Sequence, residues 1–426
     1  MRHDRHLKAR GALGSGLGVL LGFGLWNLGN YAFFLLAGRI LGPEDYGLVA
    51  ALLSAALVIQ TPFMSLAAAL ARVVGGGVDR GAGVYALALR RALAVTTVAG
   101  AGVALAIVVA GAVDDRVPTG PLLATEATLL PAAILPLALG QLQGEHEFGR
   151  FATGMASFGL PRPVALAILA ALGLGIYAAL LGTAVTAFIA AAVAVGFTMG
   201  PARAAPADPG AASWRAFSGS LVPFTVGIAA ISALTNVDVV AAKLALGGDE
   251  AGVFAASAII AKSVLVAPQA IATVALPRVA AWHSAGRPTS PLLAAATGVA
   301  VAASLLAVAA AAILADPIMR ITFGDEFAGG ARVLAEFTAA SALMGLLIVL
   351  LYHQLALGSY AFTWVLVAAA VLQVALLAAF HGSAEAIIAV DAVVATLALL
   401  GHELMPGRSG DRLWRGVAAG IRQRGA

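Results

Sequence analysis

The chain has 426 residues, 61% hydrophobic and only 11% charged, with a formal net charge of +4 and no cysteine. Soluble globular domains carry roughly 25% charged residues, so this composition, with a mean hydropathy of +0.97, excludes one and predicts a polytopic membrane protein. Without Cys there is no disulfide, no zinc finger and no thiol chemistry.

The basic stretch Met1 to Arg10 precedes an apolar run from Gly11 to Ala37. That run exceeds a signal-peptide core of roughly 7 to 15 residues, so it is expected to be a retained first helix. Allowing roughly 20 apolar residues per crossing, we place spans at 12–38, 46–71, 92–113, 120–142, 155–175, 178–199, 216–240, 251–276, 290–314, 331–356, 361–380 and 384–405. These make about twelve transmembrane helices. The weakest separation is between the fifth and sixth, where only Gly173, Gly175, Tyr177 and Gly182 interrupt an apolar run.

The positive-inside rule orients the spans. Most of the 25 Lys and Arg fall on the side of the N-terminus, among them Arg2, Arg5, Lys8, Arg10, Arg72, Arg80, Arg90, Arg91, Arg150, Arg162, Arg203, Arg215, Arg278 and Arg287. The basic C-terminal tail joins them. The opposite side has Arg39, Arg116, Lys243, Arg320 and Arg332, which leaves Lys262 as the one base inside a span. Both termini are therefore expected to be cytoplasmic. The expected organisation is an N-terminal six-helix bundle over 1–200, a cytoplasmic linker over 201–215, a C-terminal six-helix bundle over 216–405 and a basic cytoplasmic tail over 406–426.

The two bundles are related. Leu41-Gly42-Pro43-Glu44-Asp45-Tyr46-Gly47-Leu48-Val49-Ala50-Ala51 returns as Leu246-Gly247-Gly248-Asp249-Glu250-Ala251-Gly252-Val253-Phe254-Ala255-Ala256, and Leu70-Ala71-Arg72-Val73 as Leu276-Pro277-Arg278-Val279. Each hairpin is expected to close one helix on Gly and open the next with carboxylates, which the helix dipole favours. Because each half has an even number of spans, the expected relation is a pseudo-two-fold along the membrane normal, with a cleft between bundles where substrate sites usually lie. The hairpin carboxylates read as an economical turn, and a catalytic role for Glu44 or Asp45 is the sharper alternative.

Ionisable groups at membrane depth are costly and point to function. Lys262 lies some eleven residues into the eighth span. Asp238 in the seventh, beside Asn236, is its expected acidic partner, as a static brace or as a protonation switch. The first span carries Asn27 and Asn30, which suit interhelical hydrogen bonds or ligand contact equally. Gln60 and Gln269 each neighbour a proline, Pro62 and Pro268, which suits a bending helix lining water or a kinked structural one. Arg72 and Arg278 sit at span ends, as topological anchors or phosphate ligands. Glu126, Glu336 and Asp391 are further acids at apparent depth, unranked as coupling-ion sites. Glu145-His146-Glu147 lacks HExxH spacing and no GxxxxGK[ST] tract occurs, so no metal, cofactor or catalytic residue is assigned.

The tract Ala37-Gly38-Arg39-Ile40-Leu41-Gly42-Pro43-Glu44-Asp45-Tyr46-Gly47 resembles the first-hairpin signature of the polysaccharide flippase (O-antigen flippase-like) branch of the multidrug/oligosaccharidyl-lipid/polysaccharide exporter superfamily. Leu142-Gln143-Gly144-Glu145-His146-Glu147-Phe148-Gly149-Arg150, Asn236-Val237-Asp238 and Leu276-Pro277-Arg278 support the likeness, which covers nearly the whole chain. The resemblance implies alternating-access export of a polyprenyl-pyrophosphate-linked oligosaccharide across the cell membrane for surface polysaccharide or lipopolysaccharide synthesis. It implies a cationic cavity for the pyrophosphate, to which Arg39, Lys262, Arg72 and Arg278 would contribute, and polar side chains for the sugars. Implied partners are membrane lipids and a glycan polymerase or glycosyltransferases of the same pathway, with no nucleic acid. The alternatives are a sodium- or proton-coupled multidrug antiporter of the same superfamily and, more remotely, a membrane glycosyltransferase.

Overall fold

In the computed structural model, residues 2–75, 81–114, 118–204 and 210–405 are described. All their regular elements are helical: α1 (Arg2–Gln60), a 3-10 turn (Thr61–Phe63), α2 (Met64–Gly75), α3 (Gly81–Val113), α4 (Thr119–Glu126), α5 (Leu129–Gly144), α6 (Phe148–Gly159), α7 (Pro161–Ala171) and α8 (Ile176–Ala204). The order continues with α9 (Ala211–Ala245), α10 (Gly248–Lys262), a 3-10 turn (Ser263–Leu265), α11 (Val266–Ser284), α12 (Ser290–Thr322), a 3-10 turn (Asp325–Gly330), α13 (Ala331–Ala356), α14 (Ala361–Ala379) and α15 (Ala384–Leu404).

Among the described residues, eleven helical stretches are long and apolar enough to cross a membrane. The first, Gly24–Ala71, has 48 residues, more than twice the roughly 20 that one crossing needs. Gly42, at φ 71° and ψ 174°, breaks it. It therefore holds two crossings joined at Gly42, and the expected twelve are accounted for in an all-α, multi-pass membrane protein. The doubtful fifth and sixth spans are separate, because Gly173 (φ 80°) and Gly175 (φ 52°) turn the chain between α7 and α8. Helix α12 kinks at Leu314 (φ −114°, ψ 17°), where the ninth apolar stretch was expected to end, and a further helical segment runs on to Thr322 with Asp316 and Arg320 paired at 2.8 Å.

The duplication extends to the role of each helix. The third span of each half, α3 and α12, is the most exposed, with Val95, Val98 and Leu105 on one and Leu305, Leu306 and Ile313 on the other facing outward. A helix that is apolar all round and left uncovered by protein suits lipid contact. The fourth span of each half is well enclosed. In the first half α5 packs against α2, α3 and α8; in the second α13 packs against α10, α11, α12 and α15. The second span of each half is broken midway by a 3-10 turn, at Thr61–Phe63 and at Ser263–Leu265. Pro62 and Pro268 contribute by withholding a backbone donor near each break.

Compactness does not follow the sequence halves at two places. One unit comprises Met1–Leu41 and Ile59–Thr225, the other Gly42–Val58 and Val226–Ala426. The division falls within α9 rather than in the 201–215 linker, and Phe217 of α9 belongs to the core of the first unit with Leu70, Val84, Tyr85 and Leu137. Conversely, the helix that follows the first hairpin is built into the second unit. There the two repeated hairpins touch: a Cβ on Gly47 would lie 2.8 Å from the Gly252 nitrogen, and a Cβ on Gly252 would overlap the Pro43 carbonyl oxygen. Lys243 Nζ donates to the Glu44 carbonyl at 3.3 Å. Tyr46 is fully buried, edge-on to Phe323 and Phe327.

The expectation of matching turn chemistry is corrected at one point. Gly42 occupies the left-handed half of backbone space, whereas its counterpart Gly247, at φ −68° and ψ 159°, is ordinary extended backbone ahead of the first turn carrying Asp249 and Glu250. We expect Gly42→Ala to lower stability by about 1–3 kcal/mol, the cost of a side chain in that region, and Gly247→Ala, which meets open space, to change it by less than about 0.5 kcal/mol. Thermal unfolding in detergent distinguishes the two, and equal effects would contradict the assignment.

Candidate functional site

The first candidate site lies in the second unit, where four crossings bring polar side chains together. Helix α10 ends at Lys262, whose ammonium lies 2.7 Å from both carboxylate oxygens of Asp238 on α9. Asp238 is fully buried, and Lys262 also sits 5.5 Å from the ring centre of Phe337 on α13. Asp391 on α15, also buried, joins them within interaction range of Asp238 and Lys262. Gln373 on α14 ties the group to the backbone: its Nε2 donates to Asp391 Oδ1 at 2.7 Å and to the Leu234 carbonyl at 3.0 Å. The two acceptors fix which end of the amide is which, and leave Gln373 Oε1 buried without a hydrogen-bond partner. Asp238, Lys262 and Asp391, with Ser341 and Met344, line a small cavity of about 10 Å³, the threshold for one water.

Counted as ionised, two carboxylates and one ammonium sum to −1. Burial of an unbalanced charge is costly, so the group suits one additional positive charge. Lys262 lies where α10 gives way to the 3-10 turn, so its charge is attached to the point at which the helix bends.

The second candidate site lies in the first unit, around Arg162. Arg162 was expected on the cytoplasmic side, with Lys262 as the only base inside a span. It is instead the second residue of α7, midway along the Phe148–Ala171 crossing and only 5% exposed. The reason is local. Pro161 and Pro163 flank it, and their missing N–H groups interrupt the helix after α6. Glycines bring α1 against this bend, since a Cβ on Gly159 would lie 2.7 Å from the Trp26 Cα. Arg162 is thereby turned inward, where Nη1 donates to Asn30 Oδ1 at 2.5 Å and Nε to Thr183 Oγ1 at 3.1 Å. The guanidinium carbon lies 3.8 Å from the ring centre of Phe33, 5.3 Å from Phe34 and 5.4 Å from Phe158.

The remaining candidates are dispersed. Asn30 Nδ2 donates to the Trp26 carbonyl at 3.0 Å, which orients its oxygen towards Arg162. Asn27 is half-buried on the same helix. Gln60 donates to Thr128 Oγ1 at 2.5 Å, bracing the broken second span against the start of α5. Asn236 points back to the Ser232 carbonyl and Thr235 Oγ1, at 2.9 and 3.1 Å, and so turns away from Asp238. Arg39, Gln269 and Arg278 are exposed, as are Glu44 and Asp45, while the Arg72 side chain lies outside the described residues. Sequence reasoning left Asp391 unranked and passed over Gln373. Both are single polar residues in otherwise apolar spans, the signal that flagged Lys262.

The sequence matches no protein-family model and is not similar to any curated protein. Its fold is nevertheless that of solved membrane transporters along nearly the whole chain. A multidrug-resistance MATE family transporter of the MOP superfamily, in an inward-facing conformation, aligns at TM-score 0.70 and 14% identity over 96% of this chain and 100% of that one. A MOP superfamily transporter from Pyrococcus furiosus, described as having a binding pocket of reverse polarity, aligns at 0.67 and 15% identity over 92% and 94%. The lipid II flippase MurJ, in an inward closed conformation, aligns at 0.63 and 13% identity over 95% and 91%.

Proposed function

We propose that the protein is an alternating-access transporter of the cell membrane that moves a lipid-linked oligosaccharide, carried on a prenyl pyrophosphate, to the outer leaflet for cell-surface polysaccharide synthesis. The observation that carries the reading is a duplicated six-span fold, shared end to end with MOP transporters and with a lipid II flippase. It is joined by the tract from Ala37 to Gly47, which resembles polysaccharide flippases. Both termini are taken to be cytoplasmic, from the distribution of Lys and Arg. In a strain lacking the protein, prenyl-linked glycan is expected to accumulate on the cytoplasmic leaflet, and analysis of lipid extracts from cells with and without the protein identifies it. Unchanged delivery to the outer leaflet in a strain with no second flippase would refute the reading.

A second reading is a proton- or sodium-coupled exporter of small molecules, and the Lys262, Asp238 and Asp391 cluster favours it. A site with one negative charge in excess offers a place for one coupling cation. Under this reading, proteoliposomes containing no polyprenyl lipid show dye efflux driven by a pH or sodium gradient. Asp391→Asn, which removes the excess charge while keeping the Gln373 contact, uncouples efflux from that gradient. Gradient-independent transport by the unaltered protein would discard the coupling role.

A further inference from the structure

Lys262 was one of four cations expected to meet an anionic cargo, yet it is paired with the Asp238 carboxylate at 2.7 Å, with Asp391 in the same cluster. Arg162 differs in kind. Its charge is delocalised over a planar guanidinium, and its partners are an amide oxygen, a hydroxyl and three aromatic rings, all formally neutral. No carboxylate forms an ion pair with it among the described residues. The hydrogen bonds and ring faces hold the guanidinium, but none supplies the countercharge that a buried cation ordinarily has, so the crossing of α1, α7 and α8 leaves its charge unbalanced.

We infer that Arg162 is a specificity-determining residue, whose unbalanced positive charge selects anionic cargo of the phosphate or carboxylate class and disfavours cations. In low-dielectric surroundings an uncompensated charge acts well beyond contact distance. At 5% exposure, that field rather than direct contact carries the selection in this conformation. Where an anion does reach it, the Asn30 and Thr183 oxygens are neutral acceptors that a charged oxygen outcompetes for the guanidinium donors. The inference deepens the lipid-linked reading by locating the charge that would recognise the pyrophosphate, and it also covers soluble organic anions.

The test uses the full chain in nanodiscs with three probes: geranylgeranyl pyrophosphate, the soluble anion carboxyfluorescein and the cationic dye ethidium. Arg162→Gln is expected to weaken binding of the anionic probes by about tenfold, the attraction of two unit charges about 12 Å apart at an effective dielectric of about 20, and to leave ethidium unchanged or tighter. Arg162→Lys is expected to hold anion binding within about threefold, because the charge remains. Asn30→Asp keeps the arginine and neutralises it with an adjacent carboxylate, so it should lose anion preference while gaining stability. This variant keeps the test decisive if Arg162→Gln does not fold. A purely structural role predicts a stabilised Asn30→Asp protein with unaltered probe selectivity, and that result overturns the inference. Carboxyfluorescein binding that depends on Arg162, with no prenyl binding in any variant, supports the inference and removes the lipid-linked reading. Prenyl binding that neither Arg162→Gln nor Asn30→Asp alters overturns the inference and leaves the lipid-linked reading in place.

Discussion

Lys262→Met is expected to destabilise the protein by about 3–5 kcal/mol, the cost of breaking a buried pair and leaving charge uncompensated. The lysine sits 2.7 Å from Asp238, with Asp391 beside them, so its removal exposes two buried carboxylates to each other. Neither is open to solvent: Asp238 is fully buried and Asp391 nearly so. Lys262→Met combined with Asp238→Asn should recover most of the loss, because a neutral pair pays little for burial. Unfolding temperatures in detergent measure both effects. A single variant as stable as the parent at neutral pH would mean that the cluster is hydrated and the pair of little consequence.

Gly252→Ala is expected to cost about 1–3 kcal/mol through overpacking, and Gly252→Leu more. The added Cβ meets the backbone carbonyl of Pro43, which cannot rotate away as a flexible side chain could. The two hairpins must then separate. Because Tyr46 is fixed between Phe323 and Phe327 just beyond the contact, separation also disturbs an aromatic cluster. Gly247→Ala, five residues earlier and in open space, is the control. Thermal unfolding of the two variants side by side checks the prediction, and parity between them would show that the hairpin contact is dispensable.

The two candidate sites, around Lys262 and around Arg162, differ in how far the sequence shows them. The Lys262 and Asp238 pairing could be read from the sequence because adjacent antiparallel spans bring residues at similar depth together, and because any ionisable residue in an apolar run stands out. The third and fourth members could not. Asp391 and Gln373 lie on the last two crossings, more than a hundred residues away, and nothing in an apolar span marks which face is buried. Arg162 was misplaced because counting charges by side treats an arginine near a span end as a loop residue. Its flanking prolines were visible, but not the close approach of α1 at Gly159 that turned it inward.

The sequence by itself determined the class of protein, the number of crossings, their limits to within a turn or so in most cases, and the duplication. These properties are local: an apolar run of bilayer length must satisfy its backbone as a helix, and Gly, Pro and carboxylates mark where it stops. Only the tertiary structure decided the partners. It built the segment after the first hairpin into the second unit, seated one copy of the repeat on the other through Gly47 and Gly252, and gathered three charged side chains and a glutamine from four crossings. In lipid the faces of a helix that meet protein and those that meet hydrocarbon are equally apolar. The periodicity that would reveal a buried face in a soluble protein is therefore missing, and packing is set by small residues and isolated polar groups whose partners lie far along the chain.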